Sequence, residues 1–383
     1  MLRVLLTGAT GFLGGELLIE LSKIDRVEKV VCLIRAANDD AADERLQKVF
    51  SLHGDRYDRS RIQPLAADLI DPGLTSFLCQ KRRVDDVNLI IHSAANTSFL
   101  AQKSATIEET NVLGTRRLLD WAATLRRLPT FAYIGTAAAV GSGEDVIGRT
   151  ISERDEIQNL NHLVTYTRSK MMAELEVRSR IPHDKLVVIR PSILLGDSRC
   201  IVPRSFDIAW VVIAIQQMRM CFGNPDAACD IVSVDYAARA IVRLLLSSRR
   251  YATYHVSAAQ LATTPRQVAD VMTPGMLPVV FPSREDLAAL KKWLKSGDPA
   301  ALSLGAYSGH LEYITECLGK KKARILLAGL EPYWKFIDLN LRFDNSRLLS
   351  DTGIDSPEPA HEYLKRTMGF LETLDPLVAA ANP

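Results

Sequence analysis

Apolar residues come in short, nearly continuous runs separated by stretches of helical period. Leu2–Leu6, Val27–Ile34, Ile62–Ala67, Val87–Ile91 and Phe131–Ile134 read as strands apolar on both sides, the pattern of a parallel sheet covered on both faces. Between them, Glu16–Leu21, the stretch AADERLQKVF at 41–50, and the segment opened by Asn111 and running through Leu118, Leu119, Trp121 and Ala122 carry amphipathic spacing. Asp230–Val234 reads as a return to the sheet, followed by a helix through Leu246, and Tyr254–Ser257 as a further strand. From Leu261 onward the alternation stops. Helical patterns over Glu285–Lys295, Ala300–Leu318 and Lys320–Leu330 precede an aromatic turn, Glu331–Phe336, and two closing helical pieces begin at Phe343 and Tyr363, the second running to Leu374.

The first strand runs into Thr7-Gly8-Ala9-Thr10-Gly11-Phe12-Leu13-Gly14 and then into a helix. A glycine-rich turn between a strand and a helix lets the backbone approach a pyrophosphate, with the helix N-terminus facing its charge. The spacing is G-x-x-G-x-x-G, and three glycines could also serve only a tight turn. Placed here, they predict a dinucleotide site and an α/β fold: a Rossmann-type doubly wound parallel sheet over residues 1–260. A substrate-side insertion is expected at about 198–229, and a smaller, mainly helical substrate domain over 261–383.

The tip of the second strand carries Arg35, where an acidic residue would accept the ribose hydroxyls of NAD. A guanidinium fork suits a 2′-phosphate instead, so NADPH is expected, with Arg45 as a second charge. Asp68 can accept from the adenine amino group with Leu69 along the ring, or can cap the following turn. Ala94 and Ala95 let a strand end pack closely against a ribose. His92, at the end of a buried strand, is expected to be structural. Asn111 reads as an N-cap or as the holder of a water chain. Thr136 follows the fifth strand, at the carboxyl end where ligands bind in open α/β sheets.

Tyr166 and Lys170 are four apart on a helical stretch and so share one face. An ammonium beside a phenol stabilises the phenolate, so the tyrosine can give a proton to an alkoxide and recover it. The lysine can hold the nicotinamide ribose at the same time.

Composition narrows the reading further. The chain is 47% hydrophobic, enough for a large core, and its net charge of +2 offers no field for nucleic acid or acidic membranes. Six scattered cysteines, without metal-finger spacing, fit reduced thiols in a cytoplasmic protein. No leader is expected, because the apolar N-terminus is needed as a strand, and no metal site. The apolar window Phe206–Phe222 is interrupted by Gln216, Gln217 and Arg219 and is too short to span a bilayer.

These features together resemble an extended short-chain dehydrogenase/reductase of the thioester reductase and fatty acyl-CoA reductase (male-sterility-type) branch, also seen at the end of carboxylic acid reductases. The resemblance covers roughly residues 1–260. It rests on TGATGFLGGELL at 7–18, VCLIRA at 31–36, Asp68-Leu69, IIHSAANTSF at 90–99, NVLGT at 111–115, Tyr166 with Lys170, IRPSILLG at 189–196 and IVSVDYAARAIV at 231–242. It implies a triad of Thr136, Tyr166 and Lys170, with Asn111 supporting a proton relay. It also implies a pyrophosphate loop of Gly8, Thr10, Gly11, Phe12, Leu13 and Gly14, a 2′-phosphate site of Arg35 and Arg45, and an adenine site of Asp68 and Leu69. Arg190, Pro191, Ser192 and Ile193 would lie beside the nicotinamide. Gly135-Thr136 departs from the Ser-Thr often found in the family, which leaves Thr136 as the hydroxyl there.

The implied activity is NADPH-dependent reduction of an acyl thioester, on coenzyme A or an acyl carrier protein, to aldehyde and, with a second hydride, to alcohol. An aldehyde or ketone reductase, a sugar-nucleotide epimerase or dehydratase, and a non-catalytic NADP-binding regulator stand as alternatives. The basic run Lys320-Lys321-Lys322 is a solvated face or a docking patch for an acidic carrier. A monomer or homodimer is expected.

Overall fold

A computed structural model describes residues 1–155, 157, 161–199, 209–221, 223–272, 279–297 and 308–371. Its strands are β1 (Leu2–Thr7), β2 (Val27–Ile34), β3 (Ile62–Ala66), β4 (Leu89–His92), β5 (Thr130–Ile134), β6 (Thr150–Ile151), β7 (Leu186–Pro191), β8 (Ile193–Leu194), β9 (Ile231–Val232), β10 (Thr253–Val256) and β11 (Arg342–Phe343). Seven of them form one parallel sheet in the order β10-β7-β5-β4-β1-β2-β3. The chain winds outward from β1 in one direction and from β4 in the other. The crevice between their carboxyl ends is therefore the topological switch point, where this architecture binds ligands.

Helices α1 (Phe12–Ser22), α2 (Asp39–His53), α3 (Leu74–Cys79), α5 (Gly114–Ala122), α6 (Thr165–Arg180) and α8 (Val234–Leu246) cover the two faces of the sheet, while α4 (Ser104–Glu108) packs beside α6 and α7 (Ala209–Met218) lies with the later helices. Strand alternation decides which side each residue serves. Val4, Leu6, Val30 and Cys32 pack with α1, α2 and α8, whereas Leu5, Val31 and Leu33 pack with α3, α5 and α6. Each strand is apolar throughout because each face has its own cover.

The remaining helices are α9 (Pro265–Met272), α10 (Arg284–Ser296), α11 (Ser308–Tyr313), α12 (Lys320–Ile337), α13 (Ser346–Thr352) and α14 (Ala360–Leu371). A separate apolar cluster joins α7, α10 and α12 through Val211, Ile215, Leu290, Trp293, Leu326, Leu330 and Trp334. The chain then returns toward the first core: β11 pairs with β6 in a separate two-stranded sheet, and Leu348 of α13 enters the same core as α1 and α8.

Several expectations change. The segment expected to rejoin the main sheet near 231 instead makes a two-stranded pair, β8 with β9. Glu331–Phe336 is not a turn: Pro332 lies inside α12, which continues to Ile337 because Leu327, Leu330 and Trp334 are buried along one side. The piece beginning at Phe343 opens as β11, and its helix starts at Ser346. Asn111 is not an N-cap. It lies in a π-helical turn, Glu109–Leu113, between α4 and α5. Parts of the expected insertion, at 200–208 with 222, and of two expected helices, at 300–307 and 372–374, lie outside the described residues. Among the described residues, no helix is long and apolar enough to cross a membrane.

Candidate active site

The glycine turn closes onto the neighbouring strand end. Gly8 has φ +75, and a Cβ there would stand 2.7 Å from the Ala94 nitrogen; at Gly14 it would stand 2.0 Å from the Gly8 carbonyl oxygen. Gly11 starts α1 with no side-chain cap, so among the described residues no capping side chain occupies the amide donors of the first turn. Thr7 Oγ1 accepts from the Ala94 amide at 3.1 Å and lies 2.8 Å from His92 Nδ1. His92 Nε2 sits 2.9 Å from Thr115 Oγ1, and burial, with the Lys170 charge, pushes its pKa down to about 3. His92 is thus a neutral brace between β1, β4 and α5, as expected.

At the rim, the Arg45 guanidinium donates to the Arg35 carbonyl at 2.5 Å and to Thr10 Oγ1 at 2.9 Å. Burial, then the charge of Arg35, lowers the Arg45 pKa. The Arg45 guanidinium beside Thr10, with the Arg35 charge acting on it and neither arginine bonded to a carboxylate among the described residues, makes a site suited to a dianion. Asp68 Oδ1 accepts from the Ile70 amide at 3.2 Å, which is the turn-capping alternative. Leu69 is buried, and a Cβ at Gly114 would be 3.0 Å from its own Cβ, so its side chain packs under α5.

Asn111 draws three elements together. Its Oδ1 accepts from the Asn96 amide at 2.7 Å, and its Nδ2 donates to the Asn96 carbonyl at 3.0 Å and to Ser169 Oγ at 2.8 Å. The π turn rotates this side chain out of the α-helical register and toward α6, a use π turns often have at functional sites.

The expected residues Phe12, Leu13, Ala95, Thr136, Tyr166, Lys170, Pro191, Ser192 and Ile193 all line one cavity of about 350 Å³. Lys170 is buried, its Nζ donates to the Ile134 carbonyl at 2.6 Å and lies 4.5 Å from the Tyr133 ring centre. Burial pulls its pKa down to about 7, and Glu174 partly offsets this. Thr136 Oγ1 accepts weakly from the Ala138 amide at 3.3 Å.

Sequence reasoning overlooked two features. Glu174, one turn beyond Lys170, is fully buried and takes a two-pronged bond from Arg190, at 3.0 and 2.7 Å, and another from Arg178 at 2.8 Å. Burial would raise its pKa, but the two guanidiniums hold it below the usual carboxylate value. The i+4 spacing from Lys170 was the available signal, but the Arg190 partner comes from another strand. The second feature is an aromatic stack. Phe99 lies 5.9 Å from the Tyr166 ring, 4.8 Å from Tyr333 and 5.4 Å from Phe336, centre to centre, and so joins α6 to α12.

Known proteins resemble this chain in sequence and in fold. A family model described as male sterility protein matches residues 6–241. The chain is 31% identical over 254 residues to the non-canonical nonribosomal peptide synthetase cpsA of Aspergillus campestris, covering 63% of this chain and 24% of that protein. It is 31% identical over 290 residues to a carboxylic acid reductase of Mycobacterium tuberculosis, covering 66% of this chain and 24% of that protein. With the Drosophila melanogaster fatty acyl-CoA reductase wat it shares 26% over 277 residues, 62% of this chain and 53% of the relative. Hence the chain spans about a quarter of the first two relatives. In fold it matches the terminal R domain from the myxalamid PKS-NRPS biosynthetic pathway, with a TM-score of 0.73, 21% identity and coverage of 97% of this chain and 91% of that one. The chain belongs to the male sterility protein family, the thioester reductase and fatty acyl-CoA reductase branch of the extended short-chain dehydrogenase/reductases, and carries its nicotinamide dinucleotide-binding fold.

Proposed function

We propose that the protein is an NADPH-dependent reductase of acyl thioesters, with Tyr166 as proton donor, Lys170 and Thr136 as its supports, and Asn111 as a positioning residue. The observation that carries this reading is the joint placement of Thr136, Tyr166 and Lys170 on one cavity that the glycine turn borders through Phe12 and Leu13. The open first turn of α1 would hold the pyrophosphate, Arg35 and Arg45 the 2′-phosphate, and Asp68 the adenine edge. Lys170 would hold the nicotinamide ribose. When bound, the cofactor supplies a hydride to the carbonyl carbon.

Tyr166 gives its phenolic proton to the carbonyl oxygen as charge develops there, and Thr136 donates a hydrogen bond to the same oxygen. A thioester so reduced is a hemithioacetal, whose carbon–sulfur bond breaks to release thiol and leave aldehyde. A second round gives alcohol. A carrier-bound substrate is favoured by the similarity to peptide synthetases and a carboxylic acid reductase, and Lys320-Lys321-Lys322 is the surface proposed to meet an acidic carrier.

The test follows NADPH absorbance with a long-chain acyl-CoA and its aldehyde offered in parallel. Oxidation with the thioester is expected; oxidation with aldehyde alone would make the protein a carbonyl reductase. Tyr166→Phe should lower kcat by about a thousandfold or more while NADPH still binds. Retained turnover would remove Tyr166 as the donor.

A further inference from the structure

Glu174 lies one turn of α6 beyond Lys170, on the same side of the helix, and is fully buried. Its carboxylate sits under the strand end that delivers Thr136: a Cβ at Gly135 would stand 3.4 Å from Glu174 Oε2. Arg190 of β7 reaches it with two bonds, at 3.0 and 2.7 Å. Arg190 is itself buried, and its third nitrogen, Nη1, has no partner, so this guanidinium serves the one carboxylate. Arg178 adds a bond at 2.8 Å and also donates to Thr253 Oγ1.

An ion pair this deep is a poor source of stability, because both charges leave water to form it. Replacing such a pair by apolar residues of similar volume is often neutral or stabilising. The place of this one points to another use. Lys170 is buried as well, with its Nζ on the Ile134 carbonyl and over the Tyr133 ring, and the Tyr133 hydroxyl donates to the Lys170 carbonyl at 3.1 Å. Tyr166 and Glu174 of α6, Tyr133 of β5 and His92 of β4 are the titratable groups around the ammonium. Asp230 lines the same cavity but is held by the Ala258 and Phe343 amides. Burial disfavours the ammonium, and Glu174 is the charge that offsets part of that loss.

We propose that Glu174, held by Arg190, is a positioning residue for the reduction: its carboxylate keeps Lys170 an ammonium in the buried floor of the cavity and so keeps the Tyr166 phenol ready to give its proton. This rests on the reading of Tyr166 as the proton donor of a thioester reductase.

The experiment compares the full chain with Glu174→Gln and with Glu174→Met/Arg190→Met. The single change leaves Arg190 without its counter-charge and can cost the fold, whereas the double change removes both buried charges at similar volume. The Lys170 titration midpoint is read by NMR on protein carrying isotope-labelled lysine, its signal assigned by loss in Lys170→Met. NADPH oxidation with octanoyl-CoA is followed across pH beside it. In the folded variants the midpoint is expected to fall by about one pH unit, because the ammonium has lost its counter-charge. The alkaline limb of kcat/KM should move down with it, leaving turnover at pH ~7 about fivefold lower. An unmoved midpoint in the folded double variant would overturn the proposal, and so would a lowered midpoint with an unmoved limb. Failure of the double variant to fold would overturn it too, since the pair would then be structural. A lowered midpoint in a protein whose parent oxidises NADPH with neither octanoyl-CoA nor octanal would defeat the reductase reading and leave Glu174 as the keeper of the Lys170 charge.

Discussion

The two sides of the cavity are built by different means. The side formed by the sheet consists of strand ends, the glycine turn and one face of α6, and several polar side chains there are fixed by named bonds: Asn111 to Asn96, Lys170 to Ile134, Glu174 to Arg190. The helical cover, α7 with α10 and α12, is held by apolar packing through residues such as Ile215, Leu290 and Trp334. A bond to a particular atom demands a particular residue, whereas packing demands volume and tolerates exchange among apolar side chains. The proposed chemistry uses the first side, and the second bounds the cavity with apolar side chains.

The sharpest way to break this contrast is at the glycine cradle. Gly14→Ala places a methyl within 2.0 Å of the Gly8 oxygen, so the turn must open. NADPH affinity, read by its fluorescence, should fall by about 3 kcal/mol, more than a hundredfold. A cradle that absorbed the methyl would show that this side is as tolerant as the cover. Next comes Arg35→Ala, which should cost about 2 kcal/mol of NADPH binding and leave NADH almost unchanged. Equal losses for both cofactors would place the 2′-phosphate elsewhere.

Phe99 is where the two sides touch, so its replacement sharpens the contrast. Removing the ring in Phe99→Ala takes three aromatic partners from one site. It should lower kcat by about tenfold with NADPH affinity retained, and Phe99→Tyr should restore most of the loss. An effect on NADPH affinity alone would sever Phe99 from the positioning of Tyr166.

The smallest effect concerns pH. His92 is buried with its pKa at about 3, below the ordinary 6.5, so the unfolded chain binds a proton that the folded chain refuses. Its contribution is present above about pH 6.5 and is lost as pH falls toward 3, about 2 kcal/mol by pH ~5. Glu153, raised by burial to about 7, has the opposite sign, so the measurement must be differential. Melting curves of His92→Gln against the parent should show a flatter acid limb; parallel limbs would mean His92 titrates normally.

Much of the sheet side was legible in the residues. β2 begins and ends where its apolar run does, and Tyr166 with Lys170 falls on one helix as the four-residue spacing requires. Local rules sufficed because strand burial and helix period are properties of neighbours in sequence. Asn111 shows where they fail: its place before an amphipathic helix fitted a cap, but the contacts that define it come from Asn96 and Ser169, the second 58 residues away. The helical cover was read least well. Pro332 suggested an end to the helix, yet packing of Leu330 and Trp334 against α7 and α10 carries α12 through it.

The sequence by itself determined the parallel α/β order, the glycine turn and the placing of Tyr166 and Lys170 on one helix, because each is written within a few residues. The tertiary structure decided that Glu174 meets Arg190, that Phe99 meets Tyr333, and that α7 and α12 enclose an apolar lobe beside Tyr166. Those partners lie on different elements, and only the packing of the folded chain fixes which side chains share a cavity and what charge each finds there.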